Sequence, residues 1–495
     1  MSNKIIFPIN FLDISLLFVF YAVAHCGIFS ISNAIYWDDW TLYRASPRDL
    51  YDVFAQTGSM FNVVARMHIF LLSIGPWLYR SLTFFLMFFS GVLFALVLQR
   101  HSIINRELRF FLVLLFLVLP LNAARVALID FVYVFCYFLF FLAWVLQEKF
   151  RILALILFFL SFNTNSLLVF YALPMLDMMY RGGSLDGYKS IIMFWVRRLD
   201  YLILPFVYFW LKFFLYKPSG VYAGYNEQYS AVNLVASPIL QIADVFRLNL
   251  NAGLILLSIA LVYFILVRIK FFETTSQDIS STLIKVGALG FIFGAFPYWI
   301  LGHVPVFVGW SSRHQLLLPF GLSLLIMGFW LRLGRSLVVM YVMVGCFLAV
   351  NVANYRDFYF DWEKQKQLIK LFSSSPEISR AKFIVFDDRT VELNAMKRKY
   401  RFYEWSGLLE ASFGNELRFG IGRADIASFL ASQDKDKSYF LNYKAKDFVY
   451  LEGMPILQVE VLLLRSSSLG GRVISEIYPK YILRLSPADA SSVAM

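Results

Sequence analysis

The chain has 495 residues, of which 59% are hydrophobic and 19% aromatic, and its mean hydropathy is +0.65. Only 16% of the residues are charged, against about 25% in typical soluble proteins, which excludes an ordinary soluble enzyme. Of the formal net charge of +12, residues 1–354 contribute +9 and residues 355–495 contribute +3. The excess therefore lies in the hydrophobic part, where it is typical of a membrane topology signal and argues against a nucleic-acid partner.

Apolar runs bounded by charged residues, proline or glycine predict a polytopic α-helical membrane protein with about eleven transmembrane helices. The runs cover residues 11–31, 81–98, 108–121, 126–147, 151–162, 166–180, 200–216, 250–268, 283–301, 315–332 and 336–353. The first run is too long for the apolar core of a signal peptide, so we expect it to be a retained helix. Each of the three cysteines lies inside an apolar run, where we expect neither a disulfide nor a metal site.

The basic residues predict an orientation. With a cytoplasmic N-terminus, the inner loops collect 15 of the 24 basic residues of the hydrophobic part, in accord with the positive-inside rule. Three long connections, residues 32–80, 217–249 and 301–314, then face outward. The odd number of spans also places residues 355–495 outside the membrane.

Residues 355–495 have the composition of a soluble α/β domain. Alternating apolar patterns predict strands there, and helical periodicity predicts two helices. The predicted strands are 381–387, 438–443, 448–451, 457–464 and 481–485, and the predicted helices are 361–372 and 423–432.

Two adjacent carboxylates, Asp38 and Asp39, stand between Trp37 and Trp40 at the start of the first outer loop. A carboxylate pair in such a position suits a general base or a ligand of a cation. The alternative is a solvated loop start with tryptophan anchors in the interfacial belt. That alternative accounts for the tryptophans but not for the doubled acid.

Basic side chains recur on the same predicted face. Arg66 is a candidate ligand of an anionic group and His68 a titratable hydrogen-bond donor, although both could instead end a helix beside lipid headgroups. Arg125 and Asp130 lie five residues apart between the third and fourth spans. A structural Arg125–Asp130 ion pair therefore competes with a role for Arg125 in binding an anion.

The third outer loop contains His303 and the segment 309–315, which reads Gly-Trp-Ser-Ser-Arg-His-Gln. Arg313 can hold a phosphate through two donors, and His314 or His303 can protonate its oxygens or hydrogen-bond to them. The alternative is an arginine that snorkels from a helix end. Glu227, among the tyrosines of the second outer loop, is a weaker candidate for contact with a substrate.

The chain has no Gly-Xaa-Ser-Xaa-Gly elbow, no His-Glu-Xaa-Xaa-His motif and no phosphate-cradling glycine loop. Its cytoplasmic N-terminus, about eleven spans, first outer loop opening with Asp38-Asp39 and exported tail resemble the GT-C superfamily of membrane glycosyltransferases. That family includes protein O-mannosyltransferases, the aminoarabinose transferase of lipid A and bacterial transferases that decorate O-antigen. The resemblance covers the whole layout, and the acidic pair is its one sharp motif.

The resemblance implies an inverting transferase that moves a sugar from a polyprenyl-phosphate carrier to an exported glycan or lipid-linked acceptor. It also implies the outer face of a bacterial inner membrane as the location. Asp39 is our preferred base, with Asp38 as the alternative or as a ligand of a divalent metal, which some members of the family use. The remaining implied contacts are Arg66, Arg313, His314, His303 and Arg125 to the donor phosphate, and His68, Glu227, Trp37 and Trp40 to the acceptor.

Two other functions compete with the transferase. An O-antigen-type polymerase would have catalytic arginines in two large outer loops and no central acidic pair. A transporter or flippase of lipid-linked sugars would have ions inside its spans and discontinuous helices. Here the charged candidates gather at one predicted face, which favours the transferase.

Overall fold

The computed structural model describes residues 10–182, 187–224, 230–244, 252–267, 278–307, 309–414, 417–431, 445, 447–451, 453–464 and 479–488. This part of the chain is mostly helical and contains one small sheet. The first ten helices are α1 Phe11–His25, α2 Asp39–Leu42, α3 Pro47–Gln56, α4 Val63–Ile74, α5 Pro76–Gln99, α6 Arg106–Val118, α7 Phe131–Leu146, α8 Arg151–Ser161, α9 Ser166–Phe170 and α10 Ala172–Arg181. The next ten are α11 Tyr188–Val196, α12 Leu199–Phe214, α13 Asn233–Asp244, α14 Ala252–Val267, α15 Asp278–Trp299, α16 Leu318–Arg332, α17 Leu337–Ser374, α18 Pro376–Arg380, α19 Phe402–Phe413 and α20 Ile426–Ala431.

Four helical segments of the described residues are long and apolar enough to cross a membrane. They are Phe11–Ile31, Pro76–Gln99, Ile279–Trp299 and Leu337–Ser374. Several shorter apolar helices accompany them, among them Phe131–Leu146, Arg151–Ser161 and Leu318–Arg332. An 11-residue helix rises only about 17 Å, less than the roughly 30 Å of a bilayer core. The expected count of about eleven spans therefore stays a prediction.

The chain forms two compact units. The first comprises Met1–Phe29, Tyr51–Val126 and Asp130–Ala353, and the second comprises Ser30–Leu50, Ala127–Ile129 and Asn354–Met495. The start of the first predicted outer loop, with its acidic pair, thus belongs to the same unit as the C-terminal residues. Sequence order did not predict this grouping, because the three segments of the second unit are far apart along the chain.

Within the first unit, α15 and α16 pack closely because glycines occupy their facing surfaces. A Cβ atom on Gly321 would lie 2.3 Å from the backbone N of Phe291, and one on Gly287 would lie 2.7 Å from that of Leu325. Small residues let helix backbones approach in an apolar surrounding, where van der Waals packing holds helices together. The pair also connects the two ends of the third predicted loop, residues 301–314.

The second unit contains a four-stranded sheet with strand order β2-β1-β3-β4. The strands are β1 Phe383–Asp388, β2 Phe419–Gly422, β3 Ile456–Leu463 and β4 Tyr481–Ala488. β1 pairs in parallel with β2 and β3, and β3 pairs antiparallel with β4. Phe383 and Val385 of β1 and Phe419 of β2 form its apolar core together with Phe402 and Phe429 of the flanking helices.

Most of the predicted elements of this unit are present, but one predicted strand is absent, and β2 and the helices α18 and α19 were not predicted. Residues 448–451 are not a strand, although Phe448 packs into the apolar core. Sequence patterning also missed β2, whose two glycines hide its apolar alternation. The strand predicted at 438–443 lies outside the described residues, and the helix predicted at 361–372 is the polar end of the 38-residue α17.

Candidate functional site

The third predicted loop begins where α15 ends in a glycine cap. Gly302 has a φ of 71°, a left-handed conformation that favours glycine. The backbone N–H of His303 donates to Tyr298 O at 2.9 Å, and that of Gly302 donates to Trp299 O at 3.0 Å. These two bonds satisfy carbonyls that a helix end would otherwise leave unpaired. They also fold His303 back beside Tyr298.

The turn Trp310–Gln315 is attached to the segment between α6 and α7. The hydroxyl of Ser312 accepts a hydrogen bond from Ala124 N at 2.9 Å, and the amide oxygen of Gln315 accepts one from Asn122 N at 3.1 Å. Ser312 and Gln315 are both buried. Arg313, which lies between them, is therefore fixed at its Cα from both sides.

Arg313 is oriented by its two neighbours in the turn. Its guanidinium carbon lies 4.4 Å from the centre of the Trp310 ring, a cation–π distance. Its Nε donates to Nε2 of His314 at 3.3 Å. The planar guanidinium is the group best suited to paired hydrogen bonds with phosphate oxygens.

His314 is held in turn by aromatic rings. It stacks on Tyr298 with ring centres 4.5 Å apart and lies 5.4 Å from the ring of His303. The hydroxyl of Tyr298 donates to Ser166 Oγ at 2.9 Å. The Nδ1 atom of His314 is buried and has no partner among the described residues.

Both histidines of this cluster are neutral near pH 7. Burial, followed by the charge of Arg313 and then by His303, lowers the pKa of His314 well below its usual value of 6.5. Burial and Arg313 also lower the pKa of His303. In the cluster of Tyr298, His303, Trp310, Arg313 and His314, the guanidinium of Arg313 is the permanent positive charge, and the carboxylate of Asp130 lies close enough to Tyr298 to act on it electrostatically.

Arg125 does not pair with Asp130 in this structure. Its Nη2 lies 2.6 Å from Nδ1 of His25, whose Nε2 lies 3.0 Å from Leu117 O. Since Nε2 donates to the carbonyl, Nδ1 is the nitrogen that accepts from Arg125. Arg125 is buried, so its role here is to join α1 to the segment after α6. The predicted structural ion pair with Asp130 is replaced by this contact.

Asp39 is fully buried in the second unit, with 0% of its surface exposed. Its Oδ1 accepts a hydrogen bond from Ile129 N at 3.0 Å, and its Oδ2 accepts one from Tyr36 N at 3.4 Å. Both carboxylate oxygens therefore accept hydrogen bonds from backbone N–H groups. Asp39 joins the segment Ala127–Ile129 to the start of α2, a positioning task that leaves it poorly placed to take a proton from a substrate.

Asp38 differs from its neighbour in exposure and partner. It is half-buried and precedes α2, and its carboxylate lies near the hydroxyl of Tyr403 on α19. Burial, followed by the negative charge of Asp38, raises the pKa of Tyr403. The tyrosine hydroxyl therefore stays protonated. Asp38 keeps a solvent-accessible side, as a general base requires.

Trp37 and Trp40 pack inside the second unit, each 2% exposed. Arg398 lies 5.6 Å from the ring of Trp37, and a Cβ atom on Gly407 would lie 2.4 Å from Trp40 Cε3. The two rings fill the interior of the unit. They therefore offer no face to an acceptor in this structure, and they are not anchors in a lipid interface either.

His68 and Arg66 lie on opposite surfaces of α4. His68 is buried, stacks on Phe54 with ring centres 4.8 Å apart, and its Nδ1 lies 2.9 Å from the Tyr79 hydroxyl. Packing accounts for these contacts. Arg66 is exposed and lines a cavity that Arg313 and His314 do not line. Glu227 lies outside the described residues.

Sequence reasoning missed Tyr298, Ser166 and Tyr403, which orient the candidate residues. Ser166 directly follows residues 163–165, a polar interruption between two apolar runs. That interruption was a usable signal. Tyr298 and Tyr403 carried none, because an isolated tyrosine in an apolar stretch is normally a packing residue. Among the described residues, no group of three His, Cys, Asp or Glu side chains is placed to hold a metal ion.

Comparison of the chain with protein-family models, with characterised proteins and with solved structures finds no match.

Proposed function

We propose that the protein is a membrane glycosyltransferase that moves a sugar from a polyprenyl-phosphate carrier to an exported glycan or lipid-linked acceptor. The observation that carries the proposal is the cation at Arg313, held against the Trp310 ring and hydrogen-bonded to a neutral, buried His314. Such a fixed guanidinium is what a departing lipid phosphate requires, since preorganised charge stabilises a transition state without reorganisation.

During the transfer, negative charge develops on the departing phosphate and positive charge on the anomeric carbon. As the bond between the anomeric carbon and the phosphate oxygen breaks, the electron pair leaves with the phosphate, whose negative charge Arg313 would stabilise. The acceptor hydroxyl attacks the anomeric carbon and loses its proton to a base. One such displacement inverts the configuration at that carbon.

Of the two adjacent acids, Asp38 is the better candidate for that base. Sequence reasoning preferred Asp39, but Asp39 is fully buried and bonded to two backbone N–H groups. Asp38 is half-buried, and its carboxylate lies near the Tyr403 hydroxyl. We assign Asp39 the role of holding the loop that presents Asp38. The proposed site does not include Trp37, Trp40 or His68, because all three are buried packing residues.

The proposal also includes the location and orientation of the chain. It sets the protein in a bacterial inner membrane with about eleven spans, a cytoplasmic N-terminus and residues 355–495 outside. The four long apolar helices and the bias of basic residues toward the predicted inner loops support this topology.

Asp38→Asn and Arg313→Gln test the proposal. The gene would be deleted in its own host, each variant returned, and the envelope glycans compared by mass spectrometry. Initial transfer rates would follow in vesicles that contain lipid-linked sugars extracted from that host. We expect Asp38→Asn to lower the rate by at least about 100-fold, as for the loss of a general base, and Arg313→Gln by a similar factor.

Asp387→Asn is the matched control. Asp387 belongs to the other Asp-Asp pair of the second unit and contacts Arg389 and Arg423 at its surface. Its replacement should leave the transfer rate within about twofold of wild type. Glycans that do not change on deletion of the gene, or full transfer by Asp38→Asn, would overturn the proposal.

A further inference from the structure

A second concentration of positive charge lies in the first unit, in a cavity of about 520 Å³. Arg66 and Lys217 line it together with Ser59, Asn62 and the rings of Phe61 and Tyr216. None of the described residues that line the cavity is acidic. The volume falls within the range of small-molecule sites, so the cavity has room for more than a bare ion.

The two walls of this cavity are tied together by the backbone. Gly58 has a φ of 71°, and a Cβ atom there would lie 2.1 Å from Tyr216 O, so the walls approach as closely as two main chains can. Lys212 donates to the carbonyl of Gly58, and Ser219 N donates to Gln56 O at 2.9 Å. The cavity is therefore preformed. Lys212 adds a third positive charge behind one wall.

The first turn of α4 also faces the cavity. Asn62 is the residue before the helix, and its side chain makes no capping bond to the helix N–H groups. Arg66 belongs to the first turn of the same helix. The positive end of the helix dipole favours an anion near this point.

Ser59 supplies an independent sign that a ligand belongs here. The residue is only 7% exposed, and its hydroxyl has no hydrogen-bond partner among the described residues. A buried polar group without a partner is destabilising. Its place in the cavity wall offers a donor to an oxygen of a bound molecule.

We propose that this cavity binds the phosphate group of a phosphorylated ligand through Arg66, Lys217 and the Ser59 hydroxyl. The aromatic rings of Phe61 and Tyr216, with centres 5.4 Å apart, would contact the group esterified to that phosphate. If the proposed function holds, this phosphorylated ligand is the lipid-linked acceptor, and that identification rests on the proposed function. The phosphate site itself does not depend on it.

The test uses the purified full-length protein in detergent and counts bound molecules by native mass spectrometry. Farnesyl phosphate is the probe, farnesol is its uncharged control, and inorganic pyrophosphate is the soluble competitor. We expect the Arg66→Gln, Lys217→Gln double variant to bind one farnesyl phosphate fewer than wild type. Each lost charge-assisted bond should weaken that site about tenfold.

Lys189→Gln with Arg332→Gln is the matched control, since both residues are exposed cations of the first unit that do not line the cavity. It should bind as many farnesyl phosphates as wild type. Ser59→Ala separates binding from folding, because removing an unpaired buried hydroxyl leaves the thermal stability of the free protein unchanged or higher. The same change should weaken binding about threefold.

Competition by pyrophosphate would show that the site accepts a free phosphate, and its failure to compete would show that the lipid chain is needed. Either result supports a phosphate site. Equal stoichiometry in wild type and the double variant, or equal binding of farnesol, would overturn it. If Asp38→Asn keeps full transfer activity, the transferase proposal fails, but the number of farnesyl phosphates bound does not change. The failures of the two proposals are therefore distinguishable.

Discussion

Two uncharged neighbours in its own turn, Trp310 and His314, contact the guanidinium of Arg313. Trp310 provides a π face at 4.4 Å, and His314 provides an unprotonated nitrogen at 3.3 Å. A protonated imidazole could not accept from the guanidinium and would repel it. The value of Arg313 as an anion ligand therefore depends on the protonation state of a neighbouring residue.

The buried His314 predicts a stability that falls in acid. Burial, followed by Arg313, lowers the pKa of His314 in the folded chain, so below about pH 6.5 the unfolded chain takes up a proton that the folded chain does not. The free energy of unfolding is thus retained above about pH 7 and declines as the pH falls. We expect His314→Gln to remove about 1 kcal/mol of the loss between pH 7.5 and 5.5, measured by thermal unfolding.

His101→Gln is the control for this prediction. His101 Nε2 lies 2.9 Å from Asp177 Oδ1, and its side chain is more exposed than that of His314. Replacing it should not reduce the loss of stability in acid. The prediction fails if wild type and His314→Gln have the same dependence on pH. The groups that contact His314 are Tyr298, His303 and Arg313, and all three are retained in His314→Gln.

At the scale of elements, α15 and α16 pack against each other through glycines. Gly287, Gly290 and Gly294 of α15 face Gly321, Leu325 and neighbouring residues of α16 at distances that leave no space for a methyl group at most positions. The pair holds the two ends of the third predicted loop, where Tyr298, Arg313 and His314 lie. Helix packing therefore sets the geometry of the candidate phosphate site.

Gly321→Ala tests this contact. The added Cβ atom would lie 2.3 Å from Phe291 N and 2.8 Å from Gly287 O, both of them backbone atoms that cannot rotate away. We expect the two helices to separate, at a cost of about 2 kcal/mol in the free energy of unfolding. Thermal unfolding in detergent measures the cost, and transfer activity should fall in parallel.

Phe329→Ala is the contrasting variant on the same helix. It removes a large side chain, but Phe329 is 48% exposed. It should therefore change stability much less than the single methyl group added at Gly321. If the order of the two effects were reversed, close glycine packing would not be the main contact of α16.

At the scale of the whole molecule, the second unit is assembled from three separate parts of the chain. Residues 30–50 supply Trp37 and Trp40 to an interior otherwise made by residues after Asn354. Tyr36 donates its hydroxyl to Phe358 O at 2.6 Å, and Arg44 donates to Glu410 O at 3.0 Å. The C-terminal residues are therefore incomplete as a domain by themselves.

Expression of residues 354–495 alone tests this conclusion. Without the two indoles the interior loses two large buried side chains, each worth about 3 to 5 kcal/mol. We expect a chain that binds hydrophobic dyes and unfolds without a cooperative transition. Supplying residues 30–50 through a flexible linker should restore a cooperative thermal transition. A sharp transition in residues 354–495 by themselves would contradict the prediction.

The sequence predicted the character of most helices and strands, because amphipathic periodicity and apolar length are local properties. It also singled out Arg313, His314 and Arg66 as polar residues beside apolar runs, and their roles stay predictions. It could not distinguish Asp38 from Asp39, because adjacent residues have the same sequence neighbours. Which of the two side chains is buried depends on the backbone conformation. For the same reason the sequence offered nearby Asp130 as one possible partner of Arg125, and not His25, which lies 100 residues away.

The amino-acid sequence by itself determined that the chain is rich in apolar helices, that its charge excess lies in the hydrophobic part, and where polar residues interrupt that part. These properties follow from composition and spacing along the chain. Tertiary structure alone decided that residues 30–50 belong with the C-terminal unit, that Asp39 is a buried backbone partner, and that Lys217 shares a cavity with Arg66. Such facts depend on contacts between distant segments, which burial and packing select and which no local pattern encodes.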